Sequence, residues 1–188
     1  MRMQVVRFNK QNLALICALA SVLYFLLHAK TQHIELEYVV DEKAILVWEH
    51  VADFNNMMAL NPTILDFDII EDKGNYKNWQ YTVHYTEHLS NFPSIKNKAV
   101  GFYTVRPDGS DFLIESTHKT CFYNLYCLSS ASEFRFRMRG ASQTTCLEKI
   151  DFQCPYLFTK ICTSEAMHQR AMIRDKLIQF FKENANQA

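Results

Sequence analysis

Apolar and polar residues change their spacing several times along this chain. From Leu13 to Leu27 (LALICALASVLYFLL) the residues are apolar or uncharged without interruption. Ile34-Glu-Leu-Glu-Tyr-Val-Val40 then alternates, the period of a strand with one buried face. Between Lys43 and Pro62 the period lengthens. Ile45, Trp48 and Val51 or Ala52 recur at helical spacing, and Asp41 is placed to cap that helix. Asp53 is placed to cap a second, short helix through Met57 and Met58, which Pro62 stops. The period returns to two at Leu65-Asp-Phe-Asp-Ile-Ile70, and Glu71 to Asn75, with Gly74, reads as a turn.

Five more strands follow in succession. Trp79, Tyr81, Val83 and Tyr85 alternate with polar residues; Val100, Phe102 and Thr104 share one face. Arg106-Pro-Asp-Gly-Ser110 carries turn chemistry. Phe112, Ile114, Ser116 and His118 share the next face, Phe134, Phe136 and Met138 the one after, and Cys146, Glu148, Ile150, Phe152 and Cys154 the last. Consecutive strands with short connections pair antiparallel. Beyond Pro155, Thr163 or Ser164 is placed to cap a final helix, whose apolar stripe is Met167, Ile173, Leu177, Phe180 and Phe181. The expected class is α+β, a seven-stranded curved antiparallel sheet wrapped around a long C-terminal helix, with a cavity between them.

The N-terminal run adds a membrane question. Its flank carries Arg2, Arg7 and Lys10 and no acid, so residues 1–12 read as a basic tail and 13–29 as a transmembrane signal anchor. A cleavable signal peptide and a buried soluble helix are the competing readings. The anchor implies a single-pass protein of the endoplasmic reticulum or secretory pathway with its domain luminal; cleavage would make it secreted. Cys121, Cys127, Cys146, Cys154 and Cys162 cluster in the last third. In an oxidising compartment at least one disulfide forms among them, and five leave one unpaired.

Formal charge is zero, with twenty basic and twenty acidic residues. Four of the basic ones (Arg2, Arg7, Lys10 and Lys30) fall in the first thirty residues, so the remainder carries sixteen against twenty and is mildly acidic. That argues against nucleic acid as a partner. No spacing of Cys and His suits a metal, and no cofactor is expected.

Val47-Trp-Glu-His-Val-Ala-Asp-Phe54, ending at Asn61-Pro62, resembles a stretch of the START-like (SRPBCC) superfamily, in its coenzyme-Q-binding and polyketide-cyclase-like branches. The order of elements matches that family's helix-grip fold. The resemblance covers about residues 34–183 and implies a START-like domain over 34–185. It also implies an apolar tunnel between sheet and terminal helix for a hydrophobic, lipid-like ligand. It carries no catalytic residues, because the family shares none.

The strand faces nominate the tunnel's lining: Tyr81, Val83, Phe102, Ile114, Phe134, Phe136 and Ile150 from the sheet, and Ile173, Leu177 and Phe181 from the helix. Ser116, His118 and Glu148 share those faces and could meet a ligand's polar end. His118 could instead lie in water at the strand end, and Glu148 could simply be paired with Arg or Lys. Arg135, Arg137 and Arg139, with Lys149, read as a solvated outer face or as contacts for anionic headgroups. Function follows as binding or transfer of a lipid or sterol. The alternatives are a cyclase- or hydrolase-type enzyme using His118 or Glu148, and an interaction domain with a filled core.

Overall fold

The computed structural model describes residues 10–123 and 125–185. Its elements are α1 (Lys10–Leu27), β1 (Ala29–Val40), α2 (Ala44–Ala52), α3 (Phe54–Leu60), β2 (Ile64–Asn75), β3 (Asn78–His88), β4 (Lys96–Asp108), β5 (Asp111–Phe122), β6 (Tyr126–Arg139), β7 (Gln143–Pro155) and α4 (Thr159–Ala185). A 3-10 turn, Tyr156–Phe158, leads into α4. The seven strands form one sheet in the order β1-β7-β6-β5-β4-β3-β2, every neighbouring pair antiparallel. Strands β2 to β7 follow one another as hairpins, and β1 closes on the last of them, Ile34 opposite Ile150.

Alternation dictates which face is which. Tyr81 and Val83 of β3, Phe134 and Phe136 of β6, and Cys146 and Ile150 of β7 are buried on the concave face. Ile173, Leu177 and Phe181, at four-residue spacing on α4, are buried against the same core. The Lys43–Pro62 stretch closes one end. Trp48 donates its indole N–H to the Leu113 carbonyl at 3.2 Å, and Tyr81 its hydroxyl to the Ala52 carbonyl at 3.0 Å. Asp53 caps α3 by accepting from the Asn55 N–H.

Several expected boundaries move. Residues Glu71 to Asn75 stay in β2, because Gly74 takes φ of 100° without leaving the ladder opposite Trp79; the turn falls at Tyr76-Lys77. The first strand begins at Ala29 rather than Ile34 because β7 is long enough to pair all of it. The residue before α2 is Lys43, with no side-chain cap; Asp41 accepts instead from Gln143. The last helix starts at Thr159, ahead of Thr163 and Ser164.

The expected anchor over 13–29 is corrected. No helix among the described residues is long and apolar enough to cross a membrane. The chain is already sheet at Ala29, where it pairs with Pro155, so the uncharged helical run ends at Leu27. At about 1.5 Å per residue that run spans roughly 22 Å, against a hydrocarbon core of ~30 Å. The single-pass, luminal placement falls with it. Residues 1–9 of the basic tail lie outside the described residues. Two disulfides are present, Cys121–Cys127 across the β5–β6 hairpin and Cys154–Cys162 from the end of β7 to the first turns of α4. The odd cysteine of the five is Cys146, buried on the concave face; Cys17 on α1 is also free.

Candidate functional site

The concave face and α4 do not close completely on each other. Between them remains a cavity of about 140 Å³. Tyr85, Tyr103, Ser116, His118, Ser132 and Glu148 form its sheet side, from inward positions of the five consecutive strands β3 to β7. Arg170 and Ile173 come down from α4; Phe54 and Met57 wall the end formed by α3. Ligand pockets of drug-sized molecules are about 300–1,000 Å³, whereas a cavity near 150 Å³ accepts a single benzene ring. The space therefore suits one ring.

His118 is the hub of a hydrogen-bonded chain along the floor. Its Nδ1 meets the Tyr85 hydroxyl at 2.9 Å and its Nε2 meets Ser116 Oγ at 2.8 Å, which in turn meets Ser132 Oγ at 2.8 Å. Burial pushes the imidazole down to about 4, with the Arg170 charge adding to it. At neutral pH the ring is uncharged, so one nitrogen donates and the other accepts. If Tyr85 donates to Nδ1, then Nε2–H donates to Ser116 and Ser116 to Ser132, and every bond is satisfied in one direction. Gly101, opposite His118 in the β4–β5 register, leaves room for this ring.

Two acids share the cavity in different states. Glu148, 3% exposed, accepts from Arg170 at 2.9 Å. Burial raises its pKa, and the Arg170 charge and hydrogen bond oppose the rise. The Arg170 guanidinium, held against desolvation by Glu148, stays charged. Glu87 has neither hydrogen bond nor ion pair among the described residues; burial pushes its carboxyl up to about 7, opposed by Arg170 and reinforced by Glu165. The hydroxyls of Tyr38, Tyr85 and Tyr103 are raised by burial, so all three remain protonated donors. Cys146, pushed up to about 12 mainly by burial, is an inert thiol.

Several solved structures have this shape. The aromatase/cyclase ZhuI of Streptomyces sp. R1128 superposes with a TM-score of 0.63 at 14% identity, covering 83% of this chain and 96% of its own. Norcoclaurine synthase of Thalictrum flavum gives 0.58 at 14%, covering 97% and 98%. A START superfamily protein of Mycobacterium smegmatis gives 0.54 at 13%, covering 78% and 97%. The fold is START-like. No family model and no curated protein sequence matches the chain.

Within this START-like frame the sequence-nominated residues divide. Ile114, Ser116, His118, Phe134, Glu148 and Ile173 line the cavity. Tyr81, Val83, Phe136, Ile150, Leu177 and Phe181 are buried in the core around it and do not line it. Phe102 is 53% exposed on the convex face, where it borders a shallow depression of about 430 Å³ with Lys119 and Asp151. The inward residues of β4 include Gly101 and Tyr103, which lie opposite His118 and Ser116 of β5, so Phe102 between them faces the other way.

Arg170, Glu87, Tyr103 and Ser132 also line the cavity and are not among the residues nominated from the sequence. Tyr103 was hidden by the phase of β4, and Arg170 by lying beside the apolar stripe of its helix. Tyr85 shared the face of Tyr81 and Val83, which was the signal for it. The arginines of β6 lie outside: Arg135 pairs with Asp108 at 2.6 Å, Arg137 with Asp111 at 3.1 Å, and Lys149 with Glu35 at 3.7 Å. Among the described residues no group of His, Cys, Asp and Glu could hold a metal ion.

Proposed function

We propose that this chain binds a hydrophobic small molecule of about one ring in the cavity beneath α4. The supporting observation is a partly open cavity of about 140 Å³ with apolar walls at Phe54, Ile114, Phe134 and Ile173 and a hydrogen-bonded floor at Tyr85, His118 and Ser116. The apolar wall supplies affinity and the polar floor sets orientation. A long lipid chain or a sterol exceeds this volume. Two of the solved structures of this shape are a cyclase and a synthase.

An acid–base enzyme of the cyclase kind is the second reading, favoured by Glu87, whose carboxyl sits near neutrality at the cavity wall. The two readings part on whether the bound molecule is released unchanged. Native mass spectrometry of the full chain, followed by extraction and identification of what it carries, is the test. One small molecule per chain, absent from Ile114→Trp, is expected. An occupant retained by a folded Ile114→Trp variant would place binding elsewhere.

A further inference from the structure

The charges that face the cavity do not pair off. Arg170 is matched by Glu148 at 2.9 Å. Glu165 is committed to the Ser90 backbone N–H at 2.7 Å and to Gln169 at 3.0 Å. Glu87 stands on the concave face of β3, two residues beyond Tyr85, and has no partner among the described residues. Asn97, opposite it in register and 2% exposed, carries an Oδ1 with no hydrogen-bond partner, and Ser90 Oγ is likewise unmet. With Glu87 and Glu148 ionised, the cavity lining carries two negative charges against the one positive charge of Arg170. An anion would add to that imbalance and a cation would relieve it.

The rest of the wall suits a cation too. Phe54, Tyr85 and Tyr103 all line the cavity, with Phe54 5.5 Å from Tyr85 and 5.8 Å from Tyr103 between ring centroids, so three aromatic rings cluster in the wall that Glu87 also joins. Such faces attract an ammonium within about 6 Å, more strongly where water is excluded. A primary ammonium brings N–H donors, and the Glu87 carboxylate is an acceptor without a partner in the cavity wall.

We infer that the cavity's occupant is a small aromatic amine, its ring among Phe54, Ile114 and Phe134 and its ammonium on Glu87. This rests on the binding reading above and names the class of its ligand. The groups facing Glu87 are His88, Tyr85, Tyr103, Arg170 and Glu165. When no amine is present, a proton takes its place: burial holds the carboxyl at about 7. Binding of an amine therefore strengthens as pH rises through that value, because the carboxyl no longer has a proton to lose.

Three probes of one shape and different charge test this on the full chain by titration calorimetry: benzylamine, benzyl alcohol and benzoate. At pH 8 benzylamine should bind at least about tenfold more tightly than benzyl alcohol, the difference expected for a hydrogen bond to a charged group. Benzoate should bind most weakly. At pH 5.5, where the amine is still protonated and Glu87 is not ionised, the advantage should fall to within about twofold. In Glu87→Gln it should be absent at both pH values. Benzyl alcohol or benzoate equalling benzylamine at pH 8 overturns the inference, as does an advantage that survives Glu87→Gln. The wild-type pH comparison decides even if that variant does not fold. Benzyl alcohol binding without an amine advantage sinks this inference alone, whereas failure of all three probes also removes the ring-binding reading.

Discussion

Gly101 lies under the ring of His118. A Cβ at that position would stand 3.1 Å from His118 Nδ1 and 2.8 Å from Tyr103 Cε2. Neither ring can withdraw easily, since Nδ1 is bonded to Tyr85 and Tyr103 stacks on Tyr81 at 4.6 Å. Gly101→Ala should therefore break the Tyr85–His118 bond and cost about 1–3 kcal/mol, the usual price of overpacking a core. Urea unfolding measures the loss, and the His118 ring resonances report the displacement. Unmoved resonances would mean that the ring sits elsewhere.

Glu148 and Arg170 should be far more costly to separate than to remove together. Arg170→Met leaves a buried carboxylate without its partner, which typically destabilises by about 3–5 kcal/mol. The double variant Glu148→Met/Arg170→Met should recover most of that. A double-mutant cycle in denaturant measures the coupling, and additive losses would contradict a tight pair.

Stability should respond to pH through two groups of opposite sign. His118 is held at about 4, below its unfolded 6.5, so its contribution is complete above pH 6.5 and is lost as pH falls towards 4. Glu87 is held at about 7, above its unfolded 4.5, so its contribution is complete below pH 4.5 and is lost as pH rises through 7. Each is worth about 3 kcal/mol at most, and the slopes oppose each other between pH 4.5 and 6.5. Relative to wild type, Glu87→Gln should lose stability on acidification over that window, and His118→Gln should gain it. Denaturant midpoints across pH give both difference curves; parallel curves would show that neither group titrates as described.

The two disulfides should act differently on the cavity. Each closes a short loop, and removal of either should cost about 2–3 kcal/mol on the chain-entropy account. Only Cys154–Cys162 ties β7 to the first turns of α4, whose next two turns carry Glu165 and Arg170. Cys162→Ser should therefore raise amide exchange over residues 159–170, while Cys121→Ser should leave that segment unchanged. Peptide mapping without reduction should find both bridges, with Cys17 and Cys146 alkylated.

Much of this architecture was legible because it is written in periods. The two-residue alternation located the sheet from residue 65 onward and the four-residue spacing of Ile173, Leu177 and Phe181 located the helix that grips it. The site was harder. Six of the thirteen nominated residues line the cavity, and Ser116, His118 and Glu148 among them stood out as polar groups on apolar faces. Arg170 could not be found that way: an arginine at the flank of an apolar stripe looks solvated until the sheet curves up to meet it. Phe102 misled because a large aromatic is a strong cue for an inward face, whereas the inward residue needed there was a glycine. The length of the N-terminal helix depended on where β1 begins, and β1 is lengthened by a partner strand far away in sequence.

That pairing has a consequence for how the chain is made. Val40 pairs with Thr144, so the ends of β1 and β7 that lie nearest in sequence are 144 minus 40, or 104, residues apart. At ribosomal rates of about 5–20 residues per second, β1 waits roughly 5–20 seconds for its partner while β2 to β6 are still emerging. For that interval a twelve-residue strand has unpaired N–H and C=O groups along its whole length, a template for any other strand nearby. The last strand to be synthesised is the one that covers the first, and the nascent chain must be kept from its neighbours until then.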